Sequence, residues 1–164
     1  MFKVIISCVS NLFCVLGDFM IFIMKKINTI SRCAVLYRND KLNDKTLTPL
    51  YHSYVFIITK NPGITQDELA NELCINKSNV TRGLNHLEEM GFVERKADQN
   101  DKRILRVYPT DKMTNAYPKI KEVLKEWNGY LTDDIDEEEI KVFQSVLERI
   151  TERAKNYING REDL

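Results

Sequence analysis

Between Ile64 and Thr110 the chain reads ITQDELANELCINKSNVTRGLNHLEEMGFVERKADQNDKRILRVYPT. Two short amphipathic helical patterns are separated by a tight turn and followed by two strand-like runs around a polar tip. No other feature constrains the fold as much, because helices this short are marginal alone and must pack against one another to persist. Thr65, with Glu68 three residues on, makes a capping box at the first helix start. Leu69, Ala70 and Leu73 then share one face. Cys74-Ile75 lead into Asn76, an N-cap for the next helix. There Val80, Leu84 and Leu87 recur at i, i+4 and i+7 and must point inward. Gly91 ends that helix as a C′ glycine. Phe92 to Ala97 and Ile104 to Tyr108 are rich in β-branched and aromatic residues, with Asp98-Gln99-Asn100-Asp101-Lys102 as the turn. Leu105 and Val107 alternate with Arg106 and Tyr108, so one face of the ribbon is expected to be buried. Helix, turn, helix and hairpin in this order predict a winged helix-turn-helix, mainly α with a small β-hairpin wing.

The second helix turns a polar face outward. Ser78, Arg82 and Asn85 lie opposite the apolar stripe, flanked by Lys77, Asn79, Thr81 and His86. Amide, hydroxyl and guanidinium groups in such a row suit hydrogen bonds to base edges and phosphates. Lys102 and Arg103 sit at or beside the hairpin tip, and Asp101, two residues before Arg103, is placed to pair with it and aim the guanidinium. Double-stranded DNA is the implied partner, with the second helix in the major groove and the tip at the neighbouring backbone or minor groove. No Ser/His/Asp set, P-loop, glycine-rich dinucleotide loop or metal quartet appears, so neither an enzyme nor a bound cofactor or metal is expected. His86 as a catalytic base is a weaker reading than His86 as part of the polar face. The carboxylate run Asp133 to Glu139 reads as a solvated helix start rather than a metal site.

These residues resemble the MarR family of bacterial regulators. The wing phrase Asp101-Lys102-Arg103 followed by Pro109-Thr110-Asp111-Lys112 is similar to that family's wing. So are Leu47-Thr48-Pro49, the run Asn61 to Ala70, and the run Asn76 to Arg82. The likeness extends from about Met24 to about Ile158, with Pro109 where the family usually has Leu and Met113 where it usually has Gly. It implies a homodimeric transcriptional regulator, usually a repressor, that binds a pseudo-palindromic operator and is relieved by a small-molecule effector. It also implies an effector pocket between the dimerisation helices and the reader, for which Tyr37, Tyr51, Tyr54, Tyr117 and Trp127 are the aromatic candidates. The string Cys33-Ala34-Val35-Leu36-Tyr37 is similar to the reactive-cysteine segment of the family's peroxide sensors, which makes redox sensing through Cys33 an alternative. A buried structural cysteine is the plainer reading. A winged-helix interaction module that does not bind DNA is the other alternative, although such a module has no reason to keep both Arg82 and Arg103.

The remaining chain divides around the reader. Residues 24–46 are expected to form an N-terminal dimerisation helix, 47–110 the winged helix domain, and 111–164 C-terminal dimerisation helices. Thr48-Pro49 starts a helix whose inner stripe is read as Leu50, Tyr54, Ile57 and Ile58. Met113, Ala116, Tyr117, Ile120, Val123, Leu124, Trp127 and Leu131 form a long stripe after the wing. On the last helix Ile140, Phe143, Leu147, Ile150, Ala154 and Tyr157 keep a 3-4 spacing, read either as intrachain packing or as a subunit interface with the helix around Ile27 to Tyr37. The 164 residues suffice for one domain with a proper core. Lys and Arg (24) balance Asp and Glu (24), so a DNA partner must be met by a local patch. Lys77, Arg82, Arg95, Lys96, Lys102, Arg103 and Arg106 supply one.

Residues 1–23 do not belong to that pattern. Val4 to Met24 is largely apolar, with Asp18 inside it and Lys25-Lys26 behind, and approaches the ~20 residues that span a bilayer. Three readings stand: an upstream start extension with Met24 opening the functional protein, an anchor leaving the reader cytoplasmic, or an extension packed on the dimer. Asp18 counts against the anchor, and a membrane is the less favoured partner. Cys8, Cys14, Cys33 and Cys74 show no metal-ligand spacing, and His52 and His86 add no cluster, which fits a reduced, cytoplasmic protein.

Overall fold

The computed structural model describes residues 2–43 and 47–160, with side chains from Phe22 onward except that of Asn159. The order is α1 (Phe2–Leu42), α2 (Pro49–Lys60), β1 (Ile64–Thr65), α3 (Gln66–Leu73), α4 (Lys77–Glu89), β2 (Val93–Ala97), β3 (Leu105–Pro109), α5 (Asp111–Thr132) and α6 (Glu137–Asn159). The chain separates into two compact units, Met1–Lys41 and Leu42–Leu164. The first is a single helix that carries the apolar extension and the residues after it without a break. The extension's side chains, including Cys8, Cys14 and Asp18, lie outside the described residues. Among the described residues, no helix is long and apolar enough to cross a membrane.

In the second unit the core sits where α2, α3, α4, the sheet and the first half of α5 meet. Val80, Leu84 and Leu87 of α4 are fully buried, as their spacing requires, against Val55 and Ile58 of α2, Leu69 of α3, Val107 of β3 and Met113 of α5. Each such side chain contributes roughly 1.5–3 kcal/mol by leaving water. Met113 therefore serves as core, and Pro109 fits at the end of β3 opposite Val93. Thr110 caps α5 by accepting from Met113 N–H at 3.5 Å.

Several expectations needed correction. Leu50 is 72 % exposed because it falls in the first turn of α2, outside the face that meets the core; buried His52 and Val55 take that stripe instead. His52 holds the segment before the helix through its Nε2, 3.1 Å from the Leu47 carbonyl. Asn76 is the N-cap of α4 by backbone geometry, yet its side chain makes no capping bond. A third strand, too short for periodicity to reveal, joins the hairpin: Ile64–Thr65 pairs with Val107–Arg106, giving the antiparallel order β1-β3-β2. Leu105 is 39 % exposed rather than buried, because β3 begins beyond the reach of the core and only Val107 on that face is covered. Pro118 stands inside α5 without breaking it.

Cys33 is also exposed, not buried, on its helix. On α6, Ile140 and Leu147 are half-buried, but Phe143, Ile150 and Tyr157 are exposed at 58 %, 39 % and 62 %. Packing within the second unit therefore does not cover the 3-4 stripe of this helix.

Candidate nucleic-acid interface

The two short helices are held at their angle by groups that the capping and turn chemistry dictates. Thr65 and Glu68 complete the capping box: Thr65 N–H donates to Glu68 Oε2 at 2.8 Å, and Glu68 N–H to Thr65 Oγ1 at 3.2 Å. Those bonds, from the Thr65 backbone first and its hydroxyl second, hold the Glu68 carboxyl below its ordinary pKa. The α3–α4 turn places Cys74 in the left-handed region (φ 52°), with Cys74 N–H donating to Asn71 and Ile75 N–H to Ala70 carbonyls. At the other end of α4, Gly91 takes φ 72°, and Phe92 N–H reaches back to the Leu87 carbonyl at 2.8 Å.

The buried side of α4 is fixed at Gly83. A Cβ there would lie 2.7 Å from the Tyr54 hydroxyl and 2.9 Å from Cζ of the same ring, so only glycine lets α2 approach this closely. Tyr54 is 4 % exposed and meets Tyr51 edge-on, with centroids 5.9 Å apart; burial pushes its phenol pKa up.

With the inner face locked, Lys77, Ser78, Asn79, Arg82 and Asn85 all stand exposed on α4. Arg82 Nη2 donates to Asn79 Oδ1, and Lys77 Nζ pairs with Asp67 Oδ2 at 3.1 Å. Thr81 and His86 differ from the others. The Thr81 hydroxyl is 3.0 Å from the Lys77 carbonyl and 3.3 Å from Gln66 Oε1, and the half-buried His86 ring stacks on Tyr51 at 5.0 Å. Both therefore brace α4 against its neighbours.

The wing is built around two aspartates. Asp101 accepts from Arg103 N–H and Nε at 3.0 Å and from Nη2 at 2.8 Å, a forked pair that leaves the arginine side chain 90 % exposed. Asp98 closes the turn, accepting Asn100 N–H at 2.8 Å and Asp101 N–H at 3.1 Å on one oxygen and Arg106 Nε on the other. The Arg106 hydrogen bond, with those two backbone bonds, lowers the Asp98 carboxyl to about 2. Arg106 Nη1 also donates to the Gly63 carbonyl at 3.0 Å. Arg95 is likewise engaged, its Nε 3.0 Å from Glu88 Oε2. The charge count from sequence thus overstates the free patch: Arg95 and Arg106 are struts paired with Glu88 and Asp98, while Arg82, Lys102 and Arg103 are exposed.

The aromatic candidates have separate neighbours. Tyr51 and Tyr54 lie with His86, Tyr117 meets Phe56 edge-on at 5.2 Å, and Trp127 stacks with Tyr130 at 6.0 Å. Tyr37, in the helix of the other unit, has Lys41 Nζ 5.6 Å from its ring centroid.

A glycine-pinned helix with a polar outer row, beside a three-stranded wing that carries an aimed arginine, defines a winged helix-turn-helix regulator of transcription. The MarR family model matches residues 47–105. A helix-turn-helix transcriptional regulator of Bacillus subtilis (strain 168), YybA, is 27% identical over 128 residues, 78% of this chain and 85% of its own. The solved MarR protein from Peptoclostridium difficile DA00132 has TM-score 0.80 and 28% identity, over 84% of this chain and 90% of that one. A MarR family regulator from Listeria monocytogenes, solved in complex with 26mer DNA, shares the fold at TM-score 0.79 and 24% identity, over 85% and 93%. Residues 47–105 thus carry a MarR-type winged helix, and the chain is similar over most of its length to transcriptional regulators of that family.

Proposed function

We propose that this chain works as a homodimer that binds an inverted-repeat operator, represses transcription there, and loses affinity when an effector binds. The observation that carries the reading is the exposed row on α4. Ser78, Asn79, Arg82 and Asn85 present donors and acceptors at a spacing suited to base edges, on a helix whose other face is fixed by Gly83 and Tyr54. Lys77 meets phosphate, and Arg103, held by Asp101 yet 90 % exposed, reaches the minor groove. Thr81 and His86 serve by bracing α4. The related Listeria protein with its bound 26mer supports the same use of the fold here.

A two-fold partner is supported by α6, whose Val142, Phe143, Val146 and Ile150 are exposed at 64 %, 58 %, 44 % and 39 %. A second copy covering this face would carry two recognition helices to half-sites about one helical turn apart. An effector acts by preferring one arrangement of the two readers over the other.

The test is binding-site selection from genomic DNA, followed by affinity measurements across a salt series. Arg82→Ala weakens binding by about 1–3 kcal/mol and relaxes base preference at its position, and Arg103→Ala weakens binding and lowers the log–log salt slope by about one. Affinity that ignores salt and survives both substitutions would falsify DNA reading. Sedimentation of a Phe143→Glu, Ile150→Glu double variant tests the dimer, which it converts to monomer.

A further inference from the structure

Between the first turn of α3 and the root of the wing runs a groove of about 280 Å³, lined by Thr65, Gln66, Asp67, Arg103, Ile104 and Leu105. Its two walls differ in chemistry. The α3 side is polar. The wing side is one arginine followed by two large apolar side chains, Ile104 and Leu105, exposed at 40 % and 39 %. The Asp67 carboxylate is paired with Lys77 Nζ at 3.1 Å on the surface, and Gln66 Oε1 accepts from the Thr81 hydroxyl at 3.3 Å, leaving the amide N–H₂ as the donor. Both partners are on α4, so the polar wall of the groove is tied to the recognition helix.

A duplex that holds α4 in its major groove and the wing in the adjacent minor groove has one sugar–phosphate strand passing between them. We propose that this groove seats that strand, with the Gln66 amide on phosphate, Arg103 passing beside the strand into the minor groove, and Ile104 and Leu105 packed against deoxyribose. The alternating anionic and apolar character of the strand matches the two kinds of wall. The proposal rests on the DNA-reading role of α4 and the wing. Besides the Gln66 amide, it adds two apolar contact residues, Ile104 and Leu105, that make no hydrogen bond to the duplex. Their contribution is therefore separable from electrostatics: apolar burial does not release counterions, so it shifts affinity without changing the salt slope.

The experiment uses full-length protein and a duplex selected by that protein from a randomised library. Ile104→Thr and Leu105→Thr leave a β-branched residue suited to a ribbon at each position. Each is expected to lower affinity about fivefold, the area left exposed being under half of each side chain, and the pair to lower it by ten-fold or more, roughly. The salt slope stays at the unmodified value, and the melting temperature stays within about 2 °C. Arg103→Ala, measured alongside, lowers the slope by about one. Unchanged affinity in folded variants overturns the proposal, as does a slope that falls as it does for Arg103→Ala. If the double variant melts early, the Ile104→Val protein decides by the same two readouts, with about a twofold loss expected from one methylene. Failure of the unmodified protein to select any duplex removes DNA reading itself. Selection with indifferent variants removes only the seat for the strand.

Discussion

Replacing Gly83 with alanine sets two effects of opposite sign against each other. In the middle of a helix the change ordinarily stabilises, by about 1 kcal/mol. At this position the new methyl would meet Tyr54 Oη at 2.7 Å and Cζ at 2.9 Å, closer than carbon atoms pack. The ring cannot swing aside, because Tyr54 is 4 % exposed and bears edge-on against Tyr51. Overpacking of a buried site costs about 1–3 kcal/mol, and a collision with a rigid ring belongs near the upper end. Net destabilisation of about 2 kcal/mol follows, or a drop of roughly 4–8 °C in melting temperature for a chain of this size. Thermal unfolding at fixed protein concentration measures it. Tyr54→Phe removes the nearer of the two contacts, so the double variant recovers part of the loss and the cycle shows coupling of at least about 0.5 kcal/mol. A higher melting temperature for Gly83→Ala, or strict additivity with Tyr54→Phe, would refute the argument that Gly83 sets the approach of α4 to α2.

Three further outcomes follow from local geometry. Cys74→Gly relieves a left-handed residue (φ 52°) at the α3–α4 turn; set against the entropy of glycine, the gain is about 0.5–1 kcal/mol, read by chemical denaturation. Thr65→Ala costs about 1 kcal/mol through the lost cap, and the Glu68 carboxyl, no longer held down by the hydroxyl, titrates at higher pH in a carbon-detected NMR titration. The Asp98 carboxyl titrates near 2 in the folded wing against an ordinary 3.8. A depressed pKa contributes stability that is complete above the ordinary value and lost as pH falls through the folded one. The wing of the unmodified protein therefore loosens between about pH 4 and 2, whereas Asp98→Asn is looser at neutral pH and lacks the part of that pH response that Asp98 carries; amide exchange at Asn100 and Asp101 reports both.

Most of the reader was legible because its signals are local. The i, i+4, i+7 run of Val80, Leu84 and Leu87 can be satisfied in only one orientation, and that orientation exposes Ser78, Arg82 and Asn85. The capping box at Thr65 and the Asp101–Arg103 fork depend on residues two or three apart, which sequence reveals directly. The expectations that failed depend on distance in space. Leu105 obeys the strand alternation but projects past the core, and Leu50 satisfies the helical period one turn too early. Arg95 and Arg106 count as cationic surface until Glu88 and Asp98 are seen to hold them. The tight contact of Gly83 with Tyr54 joins residues with no sequence relation at all.

The short strand β1 explains how the wing and the recognition helix act together. Ile64–Thr65 pairs with β3, Gly63 N–H donates to the Val107 carbonyl at 2.8 Å, and Arg106 returns a bond to the Gly63 carbonyl at 3.0 Å. Thr65 is at once the last residue of that strand and the cap of α3, which in turn holds α4 through Gln66–Thr81 and Asp67–Lys77. From the other side, Glu88 near the end of α4 grips Arg95 of β2. Swinging the wing against α4 would therefore break strand pairing, a cap and a buffered set of ion pairs together. The stiffness is distributed over both ends of α4. Arg103 and the α4 row consequently keep a fixed separation, and a conformational change that alters DNA affinity through this frame must displace the reader as a whole.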